Sequence, residues 1–249
     1  MEAMSILLAG GGDREALRPI VDRFVASAQA RAGGRIPRVA VIVAGEHPDA
    51  ALHEAVSFGI DSRVECVALA ARTDESDAVT AGFDGGELLT ADGILVADGA
   101  PAALLAALAD RATDLRRLVH ERVPYLGIGA GAVVASEAAI LGGDEIGGVR
   151  VAPAGPAGPA GSAGEVRVEP GLGLIDMSVL GHAAQRGLVG LGVACCESGL
   201  VETVLALDEG TALEVSETAL ELLGRGSLWQ ISAADGGVRV ESSRAEEPA

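Results

Sequence analysis

Residues 127–136, GIGAGAVVAS, carry the spacing Gly127-x-Gly129-x-Gly131 after an apolar segment ending VPYL and before a run of small residues. In a G-x-S-x-G turn the middle residue projects a nucleophilic hydroxyl from a tight strand-to-helix bend, and the flanking glycines let the backbone close around it. Here the middle residue is Gly129, which has no side chain to project. The pattern offers the geometry of nucleophilic catalysis without its reagent. Four further stretches hold residues that could do chemistry. LLAGGGDRE (7–15) reads as a backbone cradle for an anion at a helix N-terminus, or as a tight crossing that lines a cleft. Its G-G-G spacing lacks the interval of a dinucleotide fingerprint, and no acidic ribose ligand is placed after a second strand. ILVADGAP (94–101) ends a strand at Asp98-Gly99, where the Asp reads as a turn former or as a cap ahead of Pro101. SVLGHAAQRGL (178–188) holds His182, followed closely by Arg in a glycine-rich setting. LALDEGTALEV (205–215) reads as a hairpin turn with acidic tips at Asp208 and Glu209.

The elements that must position these residues follow from hydrophobic patterning. Apolar runs ending in glycine predict buried strands at 5–11 and 38–45, with further strands at 64–70, 93–99, 124–130, 203–208, 212–216 and 228–233. Between the first two, Leu17, Ile20, Val21, Phe24 and Val25 recur at helical spacing before a Gly-Gly stop. Helices are expected at 49–58, 101–121 and 180–190. This alternation predicts an α/β fold, a three-layer sandwich whose mostly parallel central sheet has helices on both faces. In such a sheet the cleft lies beyond the carboxyl ends of the strands, so residues 10–14, 98–99 and 127–131 should share it. Residues 1–245 are expected to form one domain, with the Gly/Pro/Ala tract 152–164 as a flexible surface excursion and 246–249 as a frayed tail.

Composition narrows the partners. With 249 residues and 49 % hydrophobic content the chain can fill a core, and it must do so mostly with aliphatic side chains. The formal net charge is −18, and all 18 basic residues are Arg. A chain so acidic has no basic stripe to displace counterions from phosphates, which argues against nucleic acid as a partner. No apolar run is long enough to predict a membrane span, and the N-terminus lacks the basic and apolar regions of a signal peptide. The three cysteines, Cys66 and the adjacent Cys195–Cys196, match neither a disulfide framework nor a zinc pattern. They imply a reducing, cytoplasmic compartment, and no metal or cofactor is expected.

Taken in order, these stretches resemble the cyanophycinase/dipeptidase E family of serine peptidases, which share the class I glutamine amidotransferase-like fold. LLAGGGDRE is similar to the family's glycine-rich first turn. Ala97-Asp98-Gly99-Ala100 corresponds to its G-G-D-Q turn, without the first Gly and the Gln. Gly127-Ile128-Gly129-Ala130-Gly131-Ala132 corresponds to its G-T-S-A-G-A elbow. GLGLIDMSVLGHAAQRGL resembles its D-x-H-F-x-Q-R-G-R stretch and aligns His182, Gln185, Arg186 and Gly187. LALDEGTAL matches its G-I-D-E-x-T-A-L segment at Asp208, Glu209, Thr211, Ala212 and Leu213.

The departures fall on the chemistry. The resemblance puts the nucleophile at Gly129, the general base at His182 and an orienting carboxylate at Glu209. Leu180 stands at the acidic position of D-x-H. The resemblance also implies oxyanion donors at the amides of Ala130 and Gly99 beside Asp98, and substrate contacts at Gly11, Gly12, Gln185 and Arg186. Ser136 lies too far along the chain to replace the missing hydroxyl, and Cys195 and Cys196 sit in no recognisable elbow. Without a nucleophile, acyl-enzyme chemistry has no first step, and losing such a Ser costs on the order of a millionfold in rate. The expectation is therefore a silent homologue that binds a peptide or protein partner. The alternatives are a hydrolase of Asp-containing peptides or a cyanophycin-like polymer working through unconventional chemistry, such as a His182-activated water, and a structural or assembly subunit. The resemblance further implies a homodimer or larger assembly.

Overall fold

The computed structural model describes residues 5–57, 60, 63–153, 163–217 and 219–245. The tail 246–249 and most of the Gly/Pro/Ala tract, residues 154–162, lie outside them. The chain begins with β1 (Ile6–Ala9), α1 (Arg14–Ala32), β2 (Arg38–Gly45), α2 (Pro48–Ser57), β3 (Glu65–Thr73), β4 (Val79–Ala81) and β5 (Gly93–Val96). It continues through α3 (Pro101–Leu108), α4 (Ala112–His120), β6 (Tyr125–Ile128), α5 (Ala130–Val134) and β7 (Ala138–Gly142). Short strands follow at β8 (Glu145–Ile146), β9 (Val149–Arg150), β10 (Arg167–Pro170) and β11 (Ser178–Leu180). The last elements are α6 (Val189–Glu197), β12 (Thr203–Leu207), β13 (Thr211–Val215), β14 (Leu220–Gly224), β15 (Ser227–Ala234) and β16 (Gly237–Arg244).

Eight strands form the central sheet in the order β14-β13-β1-β6-β5-β2-β3-β4. The inner five pair in parallel, and β13, β14 and β4 add antiparallel flanks. Because side chains alternate along a strand, Val39, Val41 and Val43 of β2 face α1, while Ala40 and Ile42 face the opposite layer. Both faces are thus covered, which is why these strands read as unbroken apolar runs. On one face α1 packs Leu17, Ile20, Val21 and Phe24 against the sheet. On the other, Leu104 and Leu108 of α3, Leu115 and Leu118 of α4 and Val134 of α5 complete the third layer. The α1 boundaries are chemical: the Asp13 side chain accepts from Ala16 N, and Gly33 closes the helix in the left-handed region. A second sheet, β11-β12-β15-β16, packs on α6 through Leu180, Leu191, Cys195, Val204 and Ile231.

The expected strands appear with their ends shifted by a few residues, and the fold class is as expected. Two helices differ from expectation. The helix predicted over 101–121 is broken by a 3-10 turn at Ala109–Arg111 into α3 and α4. The helix predicted over 180–190 is absent: β11 ends at Leu180, a turn follows, and α6 begins at Val189. The reason is local, since His182 (φ 52°) and Gly187 (φ 66°) are left-handed, a conformation no α-helix contains. No helix among the described residues is long and apolar enough to cross a membrane.

Candidate functional site

Gly129 sits at the bend between β6 and α5 with φ 52° and ψ −111°. A β-carbon is strained in that region, so Gly occupies it at no steric cost. Its N–H donates to Ala9 O at the end of β1, and its C=O accepts from Ala132 and Val133 as α5 begins. Tyr125, fully buried on β6, donates its hydroxyl to Gly131 O at 2.7 Å and ties strand to helix. The bend lies at the carboxyl ends of β1, β5 and β6, where the turns 10–12 and 98–99 also arrive.

His182 reaches the bend from the end of β11. Its strained backbone is fixed by its own N–H, which donates to Gly10 O at 2.6 Å, and its ring lies over Gly11. A β-carbon on Gly11 would stand 2.2 Å from His182 Cε1, so the glycine there makes room for the imidazole. The ring is buried and held between two carboxylates: Nδ1 is 2.8 Å from Glu209 Oε1 and Nε2 is 2.8 Å from Asp98 Oδ2. An ionised carboxylate only accepts hydrogen bonds, so a carboxylate at each ring nitrogen favours the imidazolium, which donates from both. Burial opposes that charge, but the hydrogen bond and charge of Asp98, followed by the bond to Glu209, outweigh it. The His182 pKa is raised above 6.5 despite the opposing Arg186.

Asp98 does more than face the ring. Its Oδ1 accepts from Gly99 N and Ala130 N, both at 2.8 Å. Burial opposes its charge; His182 and then the two amides overcome this and hold its pKa below the ordinary value. This corrects two expectations. Asp98 does not cap α3, whose N-cap is Ala100 without a side-chain bond. The amides of Gly99 and Ala130, expected to face an open cleft, are already engaged by the carboxylate. The free space around the bend is about 10 Å³, at the lower limit for a single water. A β-carbon built on Gly129 would lie 2.2 Å from Asp98 Oδ1. The carboxylate occupies the place a side chain at 129 would take.

Glu209 is set by its turn. Asp208, nearly buried, accepts from Ala184 N, Ser227 N and Trp229 Nε1 at 3.0–3.1 Å, fastening the turn to both flanking segments. Gln185, expected to contact a ligand, engages Glu209 N through its Oε1 at 3.0 Å and so helps hold that turn. Gly12 and Arg186 do line a cavity of about 340 Å³ beside the cluster, together with Asp13, Glu54, Asp98, His182 and Glu209. Sequence reasoning gives Asp208 no role beyond a hairpin tip; its place directly before Glu209 is the signal that could have marked it.

The other nucleophiles lie elsewhere. Ser136 is fully buried and its hydroxyl accepts from Val179 N. Cys195 and Cys196 belong to the α6 core, and burial pushes the Cys195 thiol up to about 12. Among the described residues no cluster of His, Cys, Asp and Glu is arranged to hold a metal ion.

The titration of the cluster has a defined sign. The raised His182 pKa contributes stability that is complete below 6.5 and lost as pH rises through the raised value. The lowered Asp98 pKa contributes stability that is complete above 3.8 and lost as pH falls through the lowered value. Both contributions are therefore whole between pH 3.8 and 6.5. Melting temperatures of the native chain and His182→Gln should differ most inside that window, and the gap should narrow on either side. A gap that widens steadily toward alkaline pH would contradict the imidazolium.

The solved structure of a peptidase from an acI-B1 Actinobacterium is similar over 98 % of this chain and 96 % of its own, with a TM-score of 0.65 and 18 % identity. At that identity the likeness speaks for the fold alone. No curated protein matches the chain. The family model described as Peptidase family S51 matches residues 6–223. With most of its length inside that match, the chain belongs to peptidase family S51.

Proposed function

We propose that this peptidase-family chain performs no acyl-enzyme hydrolysis and uses its cleft to bind a peptide or a protein partner. The observation that carries the reading is the Asp98 carboxylate seated against Gly129. It stands where a nucleophile at 129 would project, engages the two amides that would stabilise an oxyanion, and keeps His182 doubly protonated. An imidazolium has no lone pair with which to take a proton from a hydroxyl or a water. Three requirements of the mechanism are thus unmet together: nucleophile, base and oxyanion donors. What remains is a polar cavity of about 340 Å³, within the size range of small-ligand sites.

The purified chain incubated with β-Asp-Arg and Asp-Xaa dipeptides is expected to release no product above buffer. His182→Ala should give the same result. Turnover that disappears in His182→Ala would overturn the proposal and favour a hydrolase acting through an activated water. Size-exclusion chromatography with candidate partners tests the binding half, and a complex that the peptides disperse would place the partner in the cleft.

A further inference from the structure

β16 is the outermost strand of the second sheet and pairs with β15 over eight residues without a register shift. No strand among the described residues lies on its other side. Ala234 and Gly237 flank the turn Asp235-Gly236 and form the closing hydrogen-bonded pair. By alternation Gly237, Arg239, Glu241 and Ser243 direct their backbone groups to β15, while Val238, Val240 and Ser242 direct theirs outward. Proteins blunt such edges with charged side chains, prolines, bulges or very short strands. β16 has no proline, bulge or shortening, and its charges, Arg239, Glu241 and Arg244, are of both signs, whereas the outermost strands β4, β11 and β14 have three, three and five residues.

We propose that β16 is an interface for a second copy of this chain, the two strands pairing antiparallel about a two-fold axis through Val240. The charges select this register. An axis through residue 239 or 241 would oppose Arg239 to itself or Glu241 to itself, and one through 238 would set Glu241 against Asp235. An axis through 242 leaves Arg239 without an acidic partner. Centred on Val240, the pairing sets Arg239 of each copy opposite Glu241 of the other, twice, on one face. On the opposite face Val240, 43 % exposed, meets its own counterpart. Val238, Val240 and Ser242 then exchange their outward backbone bonds with Ser242, Val240 and Val238 of the second copy. The contact is closed and self-complementary. The chain carries a net charge of −18, so two copies repel over most approaches. The segment 237–244, with two Arg and one Glu, is locally positive.

Light scattering coupled to size-exclusion chromatography tests this on the full chain, at protomer concentrations from about 1 to 100 μM. A dimer is expected. Val240→Pro removes the central donor without touching the bonds to β15, and should give a monomer whose melting temperature matches that of the native chain at concentrations too low for the native chain to pair. Arg239→Glu and Glu241→Arg should each weaken the dimer about tenfold, and the double exchange should restore it. A native chain that stays monomeric at the highest concentration overturns the proposal, as does a dimer indifferent to Val240→Pro. Should the proline variant fail to fold, the surface charge exchanges decide: a double variant no tighter than the singles excludes this register.

Discussion

Gly129→Ser alone is expected to leave peptide hydrolysis at background and to destabilise the fold, whereas Gly129→Ser combined with Asp98→Gly should gain His182-dependent turnover. A serine β-carbon would arrive 2.2 Å from Asp98 Oδ1 and 2.3 Å from its Cγ, so the carboxylate must leave its two amides and the imidazolium. Together with the strained backbone at 129, that costs about 2–4 kcal/mol. Removing the Asp98 side chain frees the space and both amides, and relieves His182 of one of the two carboxylates that keep it charged. Since each oxyanion donor is worth about 10²–10³ in rate, the double variant should exceed Gly129→Ser by at least about a hundredfold. Initial rates on Asp-Xaa peptides, with His182→Ala added to the double variant, provide the measurement. Equal rates for the single and double variants would show that Asp98 is not what closes the site. Leu180, standing where the resembling family has an acid, sets a ceiling on the recovery.

The second large effect belongs to Asp208. Replacing it by Ala removes one nearly buried carboxylate and leaves three donors without their acceptor: Ala184 N, Ser227 N and Trp229 Nε1. Hydrogen bonds to a charged group contribute about 1.5–3 kcal/mol each and are not additive, so a loss of about 3–5 kcal/mol is expected. In a chain of this size that lowers the melting temperature by roughly 10 °C. The damage should also reach the cleft, because the same turn carries Glu209 and donates Gly210 N to Gly11 O. Denaturant midpoints with constant slope would measure it. A shift under 1 kcal/mol, on the scale of an ordinary surface substitution, would mean that water replaces the carboxylate readily.

How far the sequence speaks for the fold depends on burial. Strands β1, β2, β5 and β6 are apolar on both faces and legible as runs of Val, Ile, Leu and Ala. β16 is exposed along nearly its whole length, so no hydrophobic contrast announces it. The false helix over 180–190 arises because apolar spacing says nothing of the left-handed backbone that His182 adopts against Gly10. At the site, Gly129, His182 and Glu209 could be brought together from motif order. The part of Asp98 could not. Its hydrogen bonds reach Ala130 and His182, 32 and 84 positions away, and a lone Asp-Gly before Pro looks the same whether it caps a helix or fills a hole.

The seating of Asp98 also bears on chemical probes. An anion tethered to the backbone competes with free ligands at an effective concentration of about millimolar or higher. Fluorophosphonates and boronates capture serine hydrolases by bonding to the reactive oxygen and settling into the vacant amide seat. Residue 129 offers no such oxygen and its two neighbouring amides are taken by Asp98, so labels of this kind are expected to leave the bend unmarked.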